Sequence, residues 1–399
     1  MSTSIVHGHC DPRFESVRAV FEQRLESKRE VGAAIAFTLE GELVVDLWGG
    51  FVDAARTRPW QRDTLVNTYS TTKGMTTICA HRLVEQGRLD LDTPVARYWP
   101  EFAQAGKAEI PVRWLLCHKA GLPAIRRPMP KGSLYDWDAV CAGLAESEPW
   151  WPPGTKHGYS PFTFGHLVGE LVRRIDGRTI GRMFREDVAA PLGADYHIGL
   201  PAEEHARVAD MIGNLIPPRR EGDSGAPRFK GPLAQFMRDM SDPTTMVGAA
   251  FNNPPSPSGA VNSPEWRSAE LPATGGHGTA RALARIYGAL ACGGAVDGIR
   301  ILEPESIERA IAEQASGPDA TLGGLPIRYG LGFMLRSESM PFSPSPRAFG
   351  HPGAGGSLGL ADPDRRVGYG FTMNKMGSGL TGGQTGYAVL GAFWSALDR

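Results

Sequence analysis

Strand-like runs lie at both ends of this 399-residue chain, and helical patterns fill the stretch between them. Near the start, residues 32–39 and 43–48 are rich in branched and aromatic side chains, and Glu40-Gly41-Glu42 reads as the turn that joins them in a hairpin. Ahead of the hairpin, Asp11-Pro12 reads as an N-cap with proline at the first helical position. Phe14, Val17, Phe21 and Leu25 then recur at helical spacing. Near the other end, residues 329–335, 347–351, 356–361 and 367–373 read as strands and 386–397 as a closing helix. Helical periodicity marks 70–86 (Met75, Ile78, Cys79, Leu83), with Gly87 as its stop, and again 164–175, 180–188 and 280–292. The order predicts an α+β fold. A central antiparallel sheet is built from both chain ends, helices flank it, and a mostly helical lobe is inserted. Residues 1–66 and 275–399 are expected to form the discontinuous α/β lobe and 67–274 the helical lobe, with a cleft between. Residues 217–270, which include Asn252-Asn253-Pro254-Pro255-Ser256-Pro257, read as a long Pro/Gly-rich loop.

Composition narrows what the cleft can receive. Hydrophobic residues at 41% and charged ones at 21% give an ordinary globular balance, which argues against disorder. A net charge of −1, with no long basic stretch, denies the chain the electrostatic footprint of a nucleic-acid binder. No apolar run approaches the roughly 20 residues of a membrane span. Residues 1–14 lack the apolar core of an export signal. The cysteines (Cys10, Cys79, Cys117, Cys141, Cys292) are odd in number and scattered, and read as free thiols in a reducing cytoplasm. A cytoplasmic protein acting on a small molecule is the expectation. No pattern calls for a metal or an organic cofactor, and the sequence does not specify an oligomeric state.

Chemistry concentrates in Tyr69-Ser70-Thr71-Thr72-Lys73-Gly74. A serine hydroxyl is a poor nucleophile until a base takes its proton. A lysine three residues on, in the same helix, lies on the same face one turn away. Burial lowers a lysine's pKa, and so lets it act as that base. A serine at the helix N-terminus also has the helix dipole favouring negative charge there. Ser-x-x-Lys alone is a weak signal, which an N-cap serine and a solvated lysine would equally produce. Two further elements follow in order: Gly158-Tyr159-Ser160 after the Pro153-Gly154 turn, and Gly350-His351-Pro352-Gly353-Ala354-Gly355-Gly356 in a late strand region.

With these three elements the chain resembles the serine β-lactamase and penicillin-binding-protein superfamily, and within it the family VIII carboxylesterases, relatives of class C β-lactamases. Supporting stretches are Gly87-Arg88-Leu89-Asp90-Leu91-Asp92-Thr93-Pro94-Val95, Leu115-Leu116-Cys117-His118-Lys119-Ala120-Gly121-Leu122-Pro123 and Pro191-Leu192-Gly193. The resemblance implies a β-lactamase-like fold, Ser70 as acylated nucleophile, and Lys73 and Tyr159 as general base and acid. His351-Pro352-Gly353 takes the place of a Lys-Thr-Gly strand motif, and the backbone N–H groups of Ser70 and Ala354 form the implied oxyanion hole. His351, Gly353 and Trp151 are the candidate substrate contacts. Two departures bear on substrate. Pro161 stands where β-lactamases usually carry an asparagine, and His351, mostly neutral near pH 7, stands for a lysine that attracts the lactam carboxylate. Both weaken lactam recognition and leave ester cleavage possible. A serine carboxylesterase for short-chain esters is therefore expected. The alternatives are a β-lactamase or DD-peptidase, an amide hydrolase, an acyltransferase, and last a catalytically silent scaffold, against which the intact Ser70, Lys73 and Tyr159 argue.

Other motifs carry less. Gly355-Gly356-Ser357-Leu358-Gly359 spells a nucleophile elbow, but no histidine follows His351 to complete a triad in the required order. Gly222-Asp223-Ser224-Gly225 echoes a trypsin-type serine inside the Pro-rich stretch and reads as chance. His7-Gly8-His9-Cys10 reads as a frayed tail rather than a metal site. His118 reads as a buried structural histidine, and Gly275-Gly276-His277-Gly278 as a turn. Trp150-Trp151 either lines an acyl pocket or packs the helical lobe.

Overall fold

The computed structural model describes residues 5–214, 231–377 and 382–399. The N-terminal part supplies β1 (Val6–Cys10), β2 (Gly32–Leu39) and β3 (Glu42–Gly50). Glu40 and Gly41 have φ of 52° and 91°, the two left-handed positions a tight hairpin turn requires. Three short strands from the middle of the chain, β4 (Val66–Asn67), β5 (Tyr196–Ile198) and β6 (Gly276–Gly278), form their own sheet in the order β4-β6-β5. A small hairpin, β7 (Ala295–Val296) with β8 (Ile299–Arg300), leads into the C-terminal strands. These are β9 (Ala315–Pro318), β10 (Pro326–Tyr329), β11 (Met334–Leu335), β12 (Phe349–Pro352), β13 (Leu358–Asp362) and β14 (Val367–Met373). The large sheet runs β1-β3-β2-β14-β13-β12-β11-β10-β9, so the two chain ends meet where β14 pairs antiparallel with β2. This is the α+β fold, with a central antiparallel sheet built from both chain ends, that the order of elements predicts.

Aromatic rings from both ends lock one face of the sheet. Phe393 of the closing helix Gln384–Leu397 stacks on Phe37 at 4.0 Å and on Phe14 at 4.5 Å, and Phe37 stacks on Tyr369 at 4.4 Å. Such pairs stabilise by about 0.5–1.5 kcal/mol each beyond the area they bury. On the other face the helix Ala280–Ala291 lies almost against the backbone. A Cβ on Gly370 would come within 2.1 Å of the Ala280 carbonyl, so only glycine permits that approach. Among the described residues two large hydrophobic cores result, with smaller clusters beside them. One gathers the middle of the chain around Met75, Leu115, Phe164 and Leu283; the other joins the sheet to the terminal helices through Phe14, Phe37, Tyr369 and Phe393.

Four local expectations are corrected. The run 329–335 is two strands, because Gly330 and Gly332 turn the chain between Tyr329 and Met334, which pair with each other. The stretch 217–270 is not one loop. It contains the helices Gly231–Ser241, Met246–Asn252 and Pro264–Ser268, while Gly222-Asp223-Ser224-Gly225 lies outside the described residues. His7-Gly8-His9-Cys10 belongs to edge strand β1, held along β3, rather than to a frayed tail. Gly276-His277-Gly278 is the central strand of the small sheet rather than a turn. All five cysteines are free thiols. Among the described residues no helix is long and apolar enough to cross a membrane.

Candidate active site

The chain enters the helix Thr72–Glu85 through a strained corner. Tyr69 has φ of 46°, a left-handed conformation that costs a bulky residue on the order of 1–3 kcal/mol and persists only where neighbours enforce it. Those neighbours are polar. Gly276 accepts from the Thr68 N–H at 2.8 Å, and the Ser357 hydroxyl donates to the Thr68 carbonyl at 2.7 Å. Thr68 Oγ1 and the Tyr196 hydroxyl share a 2.6 Å hydrogen bond, and Thr72 Oγ1 donates to the Tyr69 carbonyl at 2.5 Å. Ser70, directly after the corner, is half-buried and faces a cavity of about 280 Å3.

Lys73 is fully buried one helical turn further on. Its Nζ lies 3.2 Å from Ser70 Oγ, 2.8 Å from the Pro161 carbonyl and 3.0 Å from the Ala273 carbonyl. No carboxylate forms an ion pair with it among the described residues. Burial therefore acts almost unopposed and holds the amine well below its ordinary value of 10.5. Tyr159 comes from the facing segment, with Lys73 Nζ 4.7 Å from its ring centre. Burial pushes the phenol above its usual range, while a hydrogen bond with Ser70 acts the other way. Helix periodicity brings Ser70 and Lys73 together; tertiary packing brings Tyr159 to them.

The cavity is lined by Ser70 and Tyr159, with Ala354 at one side and Phe162, Met211, Phe251, Val261, Trp266, Leu322, Met334 and Met376 among its walls. None of its described lining residues carries a charged side chain. Three sequence candidates do not line it. His351 is buried behind Tyr159, the two rings 5.9 Å apart, with Nδ1 2.7 Å from the Pro352 carbonyl. Burial first, and the nearby Lys73 second, pull its imidazole down to about 3, so it is neutral near pH 7 and presents no cation. Trp151 braces the Tyr159 segment instead, its ring against Gly158 and its Nε1 donating to the Lys156 carbonyl at 3.0 Å. Trp150 donates to the Ala124 carbonyl at 3.0 Å, away from the cavity. Gly353 serves close packing, since a Cβ there would lie 2.2 Å from the Thr68 carbonyl and 2.1 Å from Ser357 Oγ. Gly353→Ala is accordingly expected to cost about 1–3 kcal/mol in urea unfolding and to slow fluorophosphonate labelling of Ser70. Wild-type stability in that variant would contradict the packing role.

Sequence reasoning missed the tryptophan that does face the cavity. Trp266 sits in the helix Pro264–Ser268, where Ser263 caps the Trp266 N–H and Pro264 takes the first helical position. That Ser-Pro-Glu signature was present inside the stretch read as loop. His118, expected as structural, is buried; its Nδ1 accepts from the Ser160 N–H at 3.3 Å and its ring packs against Tyr159 at 5.2 Å.

Known proteins resemble this chain over nearly its whole length. The family model described as Beta-lactamase matches residues 17–392. The Mycobacterium tuberculosis protein Esterase/beta-lactamase LipL is 36% identical over 386 residues, covering 94% of this chain and 84% of its own length. A penicillin-binding protein homolog from Caulobacter crescentus superposes with a TM-score of 0.87 at 43% identity, with 98% of this chain and 99% of that one covered. A family VIII carboxylesterase gives a TM-score of 0.87 at 40% identity with the same coverage. With its sheet, its buried Ser-x-x-Lys helix and a family match that spans almost every element, this serine hydrolase belongs to the beta-lactamase family.

Proposed function

We propose that the chain is a carboxylesterase that cleaves small, uncharged esters through an acyl-enzyme on Ser70. The observation that carries this reading is the carbonyl cage of Lys73 beside an uncharged cavity. A neutral amine has two N–H bonds and one lone pair. The Pro161 and Ala273 carbonyls use the two N–H bonds, which leaves the lone pair for the Ser70 hydroxyl proton. Ser70 Oγ then attacks the ester carbonyl as its proton passes to Lys73. The backbone N–H groups of Ser70 and Ala354 are assigned to the oxyanion, where one such donor typically stabilises the transition state by roughly 3–4 kcal/mol. As the tetrahedral adduct collapses, the Tyr159 hydroxyl protonates the departing alkoxide and Lys73 returns its proton to Tyr159. Water, deprotonated by the same pair, attacks the acyl carbon, and the carboxylic acid leaves with Ser70 restored.

Substrate class follows from the walls. A lactam or a peptide terminus carries a carboxylate that must be met by a cation or an amide, and the described cavity offers no charged side chain. Pro161 contributes only its carbonyl, already engaged by Lys73. At about 280 Å3 the cavity is at the small end of ligand sites, which suits short acyl chains. The relatives carry names of both kinds, esterase and beta-lactamase for LipL and carboxylesterase for the family VIII structure. Parallel turnover of p-nitrophenyl butyrate and nitrocefin separates them. A kcat/KM for the ester at least about 10-fold higher, and about 100-fold or more if both contacts count, is expected from one or two lost charge-assisted contacts of about 1.5–3 kcal/mol each. Equal processing of nitrocefin would replace the esterase reading with a β-lactamase one.

A further inference from the structure

Tyr159 lies on a segment without regular secondary structure, so its aim must be fixed by hydrogen bonds from elsewhere. Its neighbours are tied down: the Gly158 N–H donates to the His118 carbonyl at 3.0 Å, and the Ala320 N–H to the His157 carbonyl at 3.1 Å. Tyr159 itself is gripped by a side chain. Its N–H donates to both carboxylate oxygens of Asp319, at 3.1 and 3.0 Å. Asp319 is fully buried and makes no ion pair among the described residues. It also accepts from the Thr321 N–H at 2.8 Å, the Leu322 N–H at 2.9 Å and the Tyr329 hydroxyl at 2.9 Å. Every neighbour donates, so the arrangement suits an acceptor-only carboxylate. An asparagine would turn an N–H toward one of those donors. A buried charge without a cation is expensive, and the groups it organises are the Tyr159 backbone and Leu322, a wall of the cavity.

We infer that Asp319 is a positioning residue that aims the Tyr159 hydroxyl at the leaving-group oxygen. It holds the Tyr159 peptide from behind, out of reach of substrate, and fixes the adjoining cavity wall through Leu322. The titratable groups around it are Tyr159, Tyr329 and His157. Its negative charge also acts to keep the Tyr159 phenol protonated, the form in which it can donate. This inference rests on the acid role proposed for Tyr159.

The test is leaving-group dependence, which a change in the folded fraction would not move. Asp319→Asn is compared with wild type on p-nitrophenyl butyrate, whose phenolate leaves without a proton, and on ethyl butyrate, whose alkoxide needs one. The loss of kcat/KM, which reports acylation and not the deacylation step common to both esters, is expected to be at least about 10-fold larger on ethyl butyrate. In a Tyr159→Phe background, Asp319→Asn should add less than about a threefold loss. Should Asp319→Asn fail to fold, Tyr329→Phe removes a single donor and should show the same selective loss, about threefold to tenfold on ethyl butyrate. Equal losses on both esters, or losses that multiply with Tyr159→Phe, overturn the positioning role alone. Wild-type turnover of ethyl butyrate by Tyr159→Phe overturns the acid role and this inference with it.

Discussion

Replacing Ser70 with alanine is expected to lower ester turnover by roughly a million-fold, close to the limit set by removing a nucleophile that works as part of a unit. The fold should survive. Ser70 is half-buried, and what holds the corner before it belongs to Thr68, Thr72, Tyr196, Gly276 and Ser357, none of which depends on the Ser70 hydroxyl. The control is Ser357→Ala. Ser357 spells an elbow motif, yet its hydroxyl is buried and donates to the Thr68 carbonyl, with Thr71 Oγ1 3.2 Å away. Removing it costs about 1 kcal/mol of stability and should leave kcat within about tenfold of wild type. The measurement is p-nitrophenyl butyrate turnover beside circular dichroism for both variants. Abolished acylation in a folded Ser357→Ala protein, or residual high turnover in Ser70→Ala, would displace Ser70 as the nucleophile.

The parts of this site that were legible in the sequence are those whose spacing is local. Ser70 lies in the 3-10 turn Tyr69–Thr71 and Lys73 in the first turn of the helix that continues it, three residues apart, so helical periodicity puts them on the same face. The hairpin of β2 and β3 was equally plain, because a glycine-containing turn separates two apolar runs. Asp319 had no such signal. It meets Tyr159 across 160 residues of chain, and its hydrogen bonds are to backbone and to a tyrosine that no motif marks. The two tryptophan positions show the same limit. Trp151 adjoins the tyrosine motif yet turns away from the cavity, whereas Trp266 reaches it from a short helix inside a proline-rich stretch. Edge strand β1 escaped for another reason. Its burial alternates hardly at all, with only Val6 buried, so the chain shows no apolar period there even though β3 pairs along all of it.

Lys73→Met is expected to reduce kcat/KM for p-nitrophenyl butyrate by about 10³- to 10⁴-fold, since it removes the proton acceptor and keeps the bulk of the side chain. The same substitution has a thermodynamic signature that does not depend on activity. In the native protein the amine is held well below 10.5, whereas in the unfolded chain it titrates near that value. Between the two values the unfolded chain carries a proton that the native protein lacks. Stability must then rise with pH, by about 1.4 kcal/mol per unit for this one group, until the ordinary lysine value is passed. Below the native value both states hold the proton and the slope vanishes. Lys73→Met has no such group, so wild type should gain on the variant as pH increases from neutrality toward 9. The kinetic counterpart runs in the same direction, with wild-type kcat/KM falling on the acid side as Lys73 takes up its proton. Urea midpoints of both proteins at pH 7, 8 and 9 check the first statement. A stability difference that stays constant across that range would mean that native Lys73 keeps its proton, and another group would then have to accept the one from Ser70.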